Sequence, residues 1–150
     1  MIRSATLSDL PRMIELGEAM HRESRFSHMI YSPEKVEAML LRIMERGFLR
    51  VVERDGEIIG GFAGVLEEHW FSYDKIATDI ALFVLPDRRG GMAAAALVNA
   101  FVAWAIEKRA DLIDIGVNTG VRTYETARLF ERLGGRSAGL LYTWEISKCA

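Results

Sequence analysis

Apolar residues follow a helical period in the first part of the chain. They recur every three or four positions in two segments, which predicts two amphipathic helices after a short strand over residues 2–5. Ser8 or Asp9 caps the first helix, with Pro11 in its first turn, and Ser32-Pro33 opens the second. The predicted buried stripes are Leu10, Met13, Ile14, Gly17 and Met20 on the first helix and Val36, Met39, Leu40, Ile43 and Met44 on the second.

From residue 48 the pattern becomes that of β-strands. Two runs, Phe48–Arg54 and Glu57–Glu68, are joined by Asp55-Gly56, a strong hairpin signal because both residues tolerate positive φ. A third run over residues 75–85 is apolar on both faces and stops at Pro86. Such a strand belongs in the centre of a sheet that helices cover on both sides.

The last third of the chain alternates between the two periods. The pattern predicts a helix over residues 91–108, a short buried strand over 112–117, a helix over 124–133 and a final strand over 140–147. The element order is β-α-α-β-β-β-α-β-α-β, an α/β (mixed α+β) architecture with a mostly antiparallel mixed sheet flanked by helices. No repeat or linker divides the chain, so one domain over residues 1–150 is expected.

Composition narrows the classes of function. The chain of 150 residues is 50% hydrophobic and 27% charged, with a formal net charge of −2, which argues against nucleic acid or an anionic membrane as the main partner. The single cysteine, Cys149, cannot form an internal disulfide. The longest uncharged stretch, residues 90–106, is shorter than the ~20 apolar residues that a membrane span needs. With no apolar run at its N-terminus, the protein is expected to be cytoplasmic.

The segment with the clearest chemistry follows the predicted central strand. A loop with two arginines and two glycines, residues 87–91, leads directly into an alanine-rich helix. A helix N-terminus exposes unpaired N–H groups and a partial positive charge, and glycines let a phosphate approach the backbone. A surface turn with solvated arginines is the structural alternative. The position directly after a buried strand favours an anion site.

This segment resembles a family signature. Arg88-Arg89-Gly90-Gly91-Met92-Ala93 is similar to the Gln/Arg-x-x-Gly-x-Gly/Ala signature of the GCN5-related N-acetyltransferase (GNAT) family, and Val84-x-Pro86 is its usual lead-in. Ile2-Arg3-x-Ala5-Thr6-x-x-Asp9 resembles the family's opening strand and helix cap. Ala127-Arg128-Leu129-Phe130-Glu131-Arg132-Leu133-Gly134 resembles its second cofactor segment. The resemblance covers nearly the whole chain and implies the GNAT fold.

The resemblance also implies acetyl-CoA as the acetyl donor. The pyrophosphate is expected on the amides of residues 89–94, and the pantetheine arm on the backbone of residues 83–85, where this strand splays from the next. Tyr124, Ala127 and Phe130 are expected to flank the thioester. The complete expected set for the coenzyme is Phe83, Val84, Leu85, Arg88, Arg89, Gly90, Gly91, Met92, Ala93, Ala94, Tyr124, Ala127 and Phe130. No metal is expected, because no histidine has Cys or carboxylate partners at metal-site spacing.

Two catalytic residues are expected for acetyl transfer to an amine. Asp79 is the only charged residue between Lys75 and Asp87, and is the preferred general base. At ~3.3 Å per residue it is about 13 Å from Phe83, so it would act through water. The alternatives are that Asp79 is solvated or pairs with Lys75. The Val84 N–H is the expected oxyanion donor, since the family uses the backbone of this strand.

The sequence offers alternative general bases and does not identify a general acid. Glu67, Glu68 and His69, at the end of the preceding strand, are alternative bases. Many family members carry a tyrosine where this chain has Phe130, which has no hydroxyl. Tyr124 lies one and a half helical turns before Phe130, and the phenols of Tyr31, Tyr73 and Tyr142 have no assigned geometry.

The acceptor is expected over residues 21–31, between the first two helices. Glu23, Phe26, His28 and Tyr31 are the candidate contacts, and an ordinary exposed loop is the alternative.

The resulting hypothesis is an N-acetyltransferase that acetylates a small-molecule or peptide amine in a ternary complex. A non-catalytic acetyl-CoA-binding or protein-interaction module is the alternative, and the resemblance allows a homodimer. The glycines of residues 60–64 lie inside a hairpin strand and not after a first βαβ strand, which argues against a dinucleotide-binding oxidoreductase.

Overall fold

The computed structural model describes residues 1–146, so Ser147 and Cys149 lie outside the described residues. Two short 3₁₀ turns, Leu7–Asp9 and Pro86–Arg88, precede α1 and α3. The strands and helices are β1 (Ile2–Ser4), α1 (Leu10–Glu23), α2 (Pro33–Arg46), β2 (Phe48–Arg54), β3 (Glu57–Glu68), β4 (Lys75–Val84), α3 (Ala93–Glu107), β5 (Leu112–Asp114) and α4 (Thr123–Arg132).

One mixed sheet organises these elements. Its strand order is β1-β2-β3-β4-β5, with antiparallel pairing throughout except between β4 and β5, which are parallel. Side chains from α1 and α2 form an apolar core with one face of the sheet, and α3 forms a second core with the other face, joined by Phe130 of α4. The predicted α/β mixed sheet flanked by helices is confirmed.

The β2–β3 hairpin has the predicted boundaries. Asp55 and Gly56 form its turn with φ values of 54° and 76°. A left-handed pair of this kind matches the twist of the flanking strands. The hairpin continues into β4, which places the two-faced apolar strand between β3 and β5 as the sequence predicts.

The N-terminus of α1 is held by a buried carboxylate. Of the two predicted caps, Asp9 occupies the N-cap position. It accepts hydrogen bonds from Arg3 Nη1 at 2.7 Å, Arg3 Nη2 at 3.0 Å and Thr6 N at 2.7 Å. These contacts, chiefly those with Arg3, hold the pKa of Asp9 well below its ordinary value. The side chain therefore ties β1 to the start of α1.

Two strand predictions are wrong in part. The predicted buried strand over 112–117 is only Leu112–Asp114, and Leu112 is 52% exposed. The predicted final strand over 140–147 is absent from residues 140–146, whose backbone has no partner strand in the described part of the chain. An alternating pattern shows which residues could share a face, but a strand also needs a neighbour to bond. None of the helices within residues 1–146 has the length and apolar character that crossing a membrane requires.

Candidate active site at the open edge of strand β4

One side of β4 lacks a partner strand over much of its length. β5 pairs only with Ile76, Ala77 and Thr78, so within the described chain residues 79–84 have β3 on one side and no strand on the other. We call residues 79–84 the open edge. A bulge in the β3–β4 pairing places Asp79 opposite Gly64 and Ala81 opposite Ala63. A cavity of about 740 Å³ lies along the open edge and reaches both faces of the sheet.

The backbone of β4 presents unpaired groups to this cavity. Leu85 N donates to Ile59 O at 2.9 Å, and hydrogen bonding alternates along an antiparallel pair. The N–H and C=O groups of Leu82 and Val84 therefore point away from β3, toward the open edge. Val84 O accepts a hydrogen bond from Arg89 Nε at 2.8 Å, which agrees with a carbonyl that points away from β3. The Val84 N–H therefore faces the cavity and has no acceptor on a neighbouring strand in the described chain.

Asp79 lies in the cavity wall. Its Oδ1 accepts a hydrogen bond from Gly116 N at 2.8 Å. Burial raises the pKa of the Asp79 carboxyl, and the bond from Gly116 offsets part of that rise. Among the salt bridges of the described residues none involves Asp79, so the alternative pairing with Lys75 is not formed.

The alternative bases lie elsewhere. Glu67 and Glu68 pair with Ile76 and Lys75 at the far end of the β3–β4 hairpin, and His69 lies in the turn beyond. None of the three lines the cavity. Of these four side chains, Asp79 is the one that lines the cavity.

Arg89 does not extend freely into solvent. Its guanidinium forms a two-pronged salt bridge with the Glu23 carboxylate and lies 5.4 Å from the centre of the Phe83 ring. Together with its bond to Val84 O, this joins the end of α1 to the end of β4. Arg88 is more exposed, with Asp87 at 3.4 Å and Glu57 at 4.0 Å. The charge of Arg89 is thus already compensated by Glu23, one of the predicted acceptor contacts.

The glycine-rich turn presents a set of uncovered amides. Gly90 has a φ of +81°, and a Cβ added at Gly90 or Gly91 would meet nothing within 4 Å. The N-cap Met92 makes no side-chain capping bond, and Ala96 N donates to Met92 O. The amides of residues 93–95 therefore have no acceptor within the helix. An anion the size of a pyrophosphate fits this open, donor-rich surface.

The α1–α2 loop forms the opposite wall. Tyr31 donates to Ile14 O at 2.8 Å and packs on Gly17, where a Cβ would lie 2.7 Å from the Tyr31 hydroxyl. Arg25 N donates to Thr119 O at 2.8 Å, which joins this loop to the segment after β5. Burial raises the pKa of Tyr31, the one tyrosine among the described residues that line the cavity.

The cavity brings together most of the predicted site residues. Those that line it are Glu23, Phe26, Tyr31, Asp79, Phe83, Val84, Arg89, Gly90, Gly91, Ala94 and Phe130. His28 is exposed and does not line it, and Tyr124 is 84% exposed. The others outside the lining are Leu85, Arg88, Met92, Ala93 and Ala127.

Sequence reasoning missed several lining residues. Met13, Met20 and Met39 contribute to the wall, although their helical spacing assigned them to the core. Asn118 and Leu129 also line the cavity. A helical period identifies the side of a helix that faces the protein, and both core and cavity wall lie on that side. The spacing of the methionines therefore could not show whether they belong to the core or to the cavity wall.

Comparison with known proteins identifies the family. The sequence model described as the acetyltransferase (GNAT) family matches residues 13–134. The chain belongs to the GNAT family. No curated protein sequence matches this GNAT chain. No group of three or more potential metal ligands occurs in the part of the chain that the structure describes.

Solved structures share the GNAT fold. One is AAC(6')-Iy in complex with the bisubstrate analogue CoA-S-monomethyl-acetylneamine, with 16% identity, a TM-score of 0.77 and coverage of 99% of this chain and 98% of that one. A predicted acetyltransferase with acetyl-CoA from Clostridium acetobutylicum has 12% identity, a TM-score of 0.77 and coverage of 97% and 95%. An aminoglycoside acetyltransferase from an uncultured soil metagenomic sample has 18% identity, a TM-score of 0.70 and coverage of 98% of each chain.

Proposed function

We propose that this GNAT chain is an acetyl-CoA-dependent N-acetyltransferase that acetylates a primary amine by direct attack in a ternary complex. One observation carries the proposal. The open edge of β4 places an unpaired backbone donor, a carboxylate with a raised pKa and a glycine-rich helix N-terminus along one cavity.

The chain's own groups fit the coenzyme. The amides of residues 89–94 hold the pyrophosphate, and those of residues 93 and 94 have no acceptor within the helix. The backbone of Leu82 faces the open edge and offers the pantetheine arm groups to pair with. Acetyl-CoA, when bound, supplies the acetyl thioester. The structural neighbours that carry acetyl-CoA or a coenzyme A bisubstrate analogue support the same fit.

Asp79 is assigned as the general base. A lysine-like amine with a pKa near ~10.4 is almost entirely protonated at neutral pH, so the acceptor must lose a proton before it can attack. Asp79 accepts that proton through water. Its raised pKa suits this role, since a base works best when its pKa lies near the operating pH.

Two roles remain, those of the oxyanion donor and of the general acid, and position 130 offers no phenol for the second. The Val84 N–H stabilises negative charge on the acetyl oxygen and needs no reorganisation, because β4 already holds it in place. The Tyr31 hydroxyl is committed to Ile14 O. No side chain is assigned as the acid, because a thiolate with a pKa near ~8.5 can leave without a protein donor.

The test of the proposal is turnover. The protein is incubated with acetyl-CoA and, separately, with an alkylamine, an amino alcohol, an aminoglycoside and a peptide with a free N-terminus. Free thiol and product mass are followed against reactions without acceptor. We expect at least one amine to give acetylated product in step with thiol release.

The absence of a hydroxyl at Phe130 favours a second candidate, a non-catalytic acetyl-CoA-binding module. That candidate predicts that acetyl-CoA binds and that thiol release with each amine equals the rate without acceptor. The two candidates are therefore separated by one assay.

A further inference from the structure

We infer that the acceptor is a monoamine with an apolar body, an alkyl or aryl amine, and not a polycation. The inference rests on the proposed function and names its substrate class. Three features of the cavity wall carry it: its mainly apolar lining, its compensated carboxylates and its two engaged hydroxyl groups.

The wall formed by α1, α2 and the loop between them is mainly apolar. Its side chains come mainly from the inward stripes of the two helices, and three of them are thioethers. Methionine side chains are flexible and polarisable, so they adapt to the shape of an apolar ligand. The apolar side chains of this wall include Met13, Leu16, Met20, Phe26, Val36 and Met39.

The carboxylates of the cavity are mostly neutralised. Three carboxylates line it, and two of them have arginine partners: Glu23 binds Arg89, and Glu125 lies 3.6 Å from Arg122. In the described chain this leaves Asp79 as the one lining carboxylate without a salt bridge. Four arginines line the same cavity. An acceptor with several ammonium groups would find one lining carboxylate without an arginine partner, whereas a single ammonium requires only that one.

Two hydroxyl groups beside the apolar wall are already used within the protein, whereas the buried Nε2 of His21 in the same lining has no hydrogen-bond partner among the described residues. The Tyr31 hydroxyl donates to Ile14 O at 2.8 Å, and the Ser24 hydroxyl donates to His21 O at 2.9 Å. An acceptor rich in hydroxyl groups would lose its bonds to water on binding and gain few in return. An alkyl or aryl group loses none and gains contact with the thioethers.

A series of linear alkylamines tests the inference on the unmodified protein. From propylamine to octylamine, kcat/KM should rise roughly three- to fourfold per added methylene until the cavity is filled. Ethanolamine, which replaces the terminal methyl of propylamine with a hydroxyl, should have a kcat/KM lower by about tenfold. Neamine should be a poorer substrate than octylamine by on the order of 100-fold.

A matched pair of variants tests whether the apolar wall causes the rise of kcat/KM with chain length. Met20→Gln places an amide on the apolar wall and should flatten the rise of kcat/KM with chain length, with acetyl-CoA affinity unchanged. Met44→Gln makes the same change at a partly buried position of α2 that does not line the cavity, and should keep the rise. If Met20→Gln does not fold, the alkylamine series on the unmodified protein still decides.

The outcomes separate the inference from the proposed function. Three results would overturn the apolar acceptor without affecting the proposal of acetyl transfer. They are a kcat/KM that does not change with chain length, equal kcat/KM for ethanolamine and propylamine, and a higher kcat/KM for neamine than for octylamine. No acetylation of any amine overturns both. Acetyl-CoA titration, followed separately by calorimetry, shows whether coenzyme binding survives either result.

Discussion

At the scale of single residues, Asp79 has the combination that a base in an enclosed site requires. It lies on a strand, fixed by the Gly116 N–H, in a position where burial raises its pKa. A raised pKa keeps the carboxyl protonated to higher pH than in a free chain. The form that accepts a proton therefore becomes populated only as the pH rises through that raised pKa.

Asp79→Asn tests this role through the pH dependence of the rate. We expect kcat to fall on the order of 10²-fold, because general-base assistance is lost while the amide can still accept from Gly116. In the unmodified protein kcat/KM should rise with pH as Asp79 deprotonates, and the variant should lack that limb of the profile. Initial rates of thiol release across pH measure both effects.

Asp114→Asn is the matched control. Asp114 is exposed on the neighbouring strand β5 and does not line the cavity, so the same chemical change there should keep the pH profile. An Asp79→Asn protein with the rate and profile of the control would place the base elsewhere.

Arg89 illustrates what the sequence could not show at this scale. The sequence pattern suggested that both arginines of the turn contribute charge to an anion site. The structure pairs Arg89 with Glu23, which lies 66 positions earlier in the chain. A salt bridge between residues so far apart in the sequence depends on how α1 packs beside β4. The local spacing of residues cannot predict it.

At the scale of elements, prediction succeeded where the determinants were local. The β2–β3 hairpin follows from Asp55-Gly56, and the start of α2 follows from Ser32, whose Oγ accepts from Lys35 N at 3.3 Å. The final strand was wrong because its alternating pattern has no partner strand to bond in the described chain. The side chains of residues 140–146 lie in solvent, and Trp144 is 82% exposed.

The turn before α3 can be tested with one added charge. Gly91→Glu should weaken acetyl-CoA binding by roughly 10- to 100-fold, because the carboxylate repels the pyrophosphate at the same amides. A Cβ at Gly91 meets nothing within 4 Å, and a carboxylate at a helix N-terminus is favourable. Lost affinity would therefore not reflect unfolding. Calorimetric titration gives the Kd.

Gly139→Glu is the control for charge alone. Gly139 is exposed, has equally open space for a Cβ and does not line the cavity, so its variant should bind acetyl-CoA with unchanged affinity. Equal Kd values for the two variants would contradict the assignment of the turn as the pyrophosphate site.

At the scale of the whole molecule, the cavity arises because the sheet is incomplete along one strand. The sequence predicted a central strand with apolar cores on both faces, and the structure confirms both cores. The resemblance implied that this strand splays from the next at residues 83–85, but the pattern carried β5 to residue 117, whereas it stops at Asp114 and leaves residues 79–84 open. The length of a strand pairing is set by the packing of the chain around it, and that packing also decides whether Met13 and Met20 form core or cavity wall.

Thermal unfolding with acetyl-CoA tests the central claim most directly, namely that the open edge of β4 and the turn before α3 form an acetyl-CoA site. Ligand at about 100 times its Kd adds ~2.7 kcal/mol to the free energy of unfolding. For a chain of this size that corresponds to a rise in Tm of roughly 5–10 °C. We predict this rise with acetyl-CoA and none with NAD at the same concentration. An unchanged Tm with acetyl-CoA, or an equal rise with NAD, would contradict the assignment.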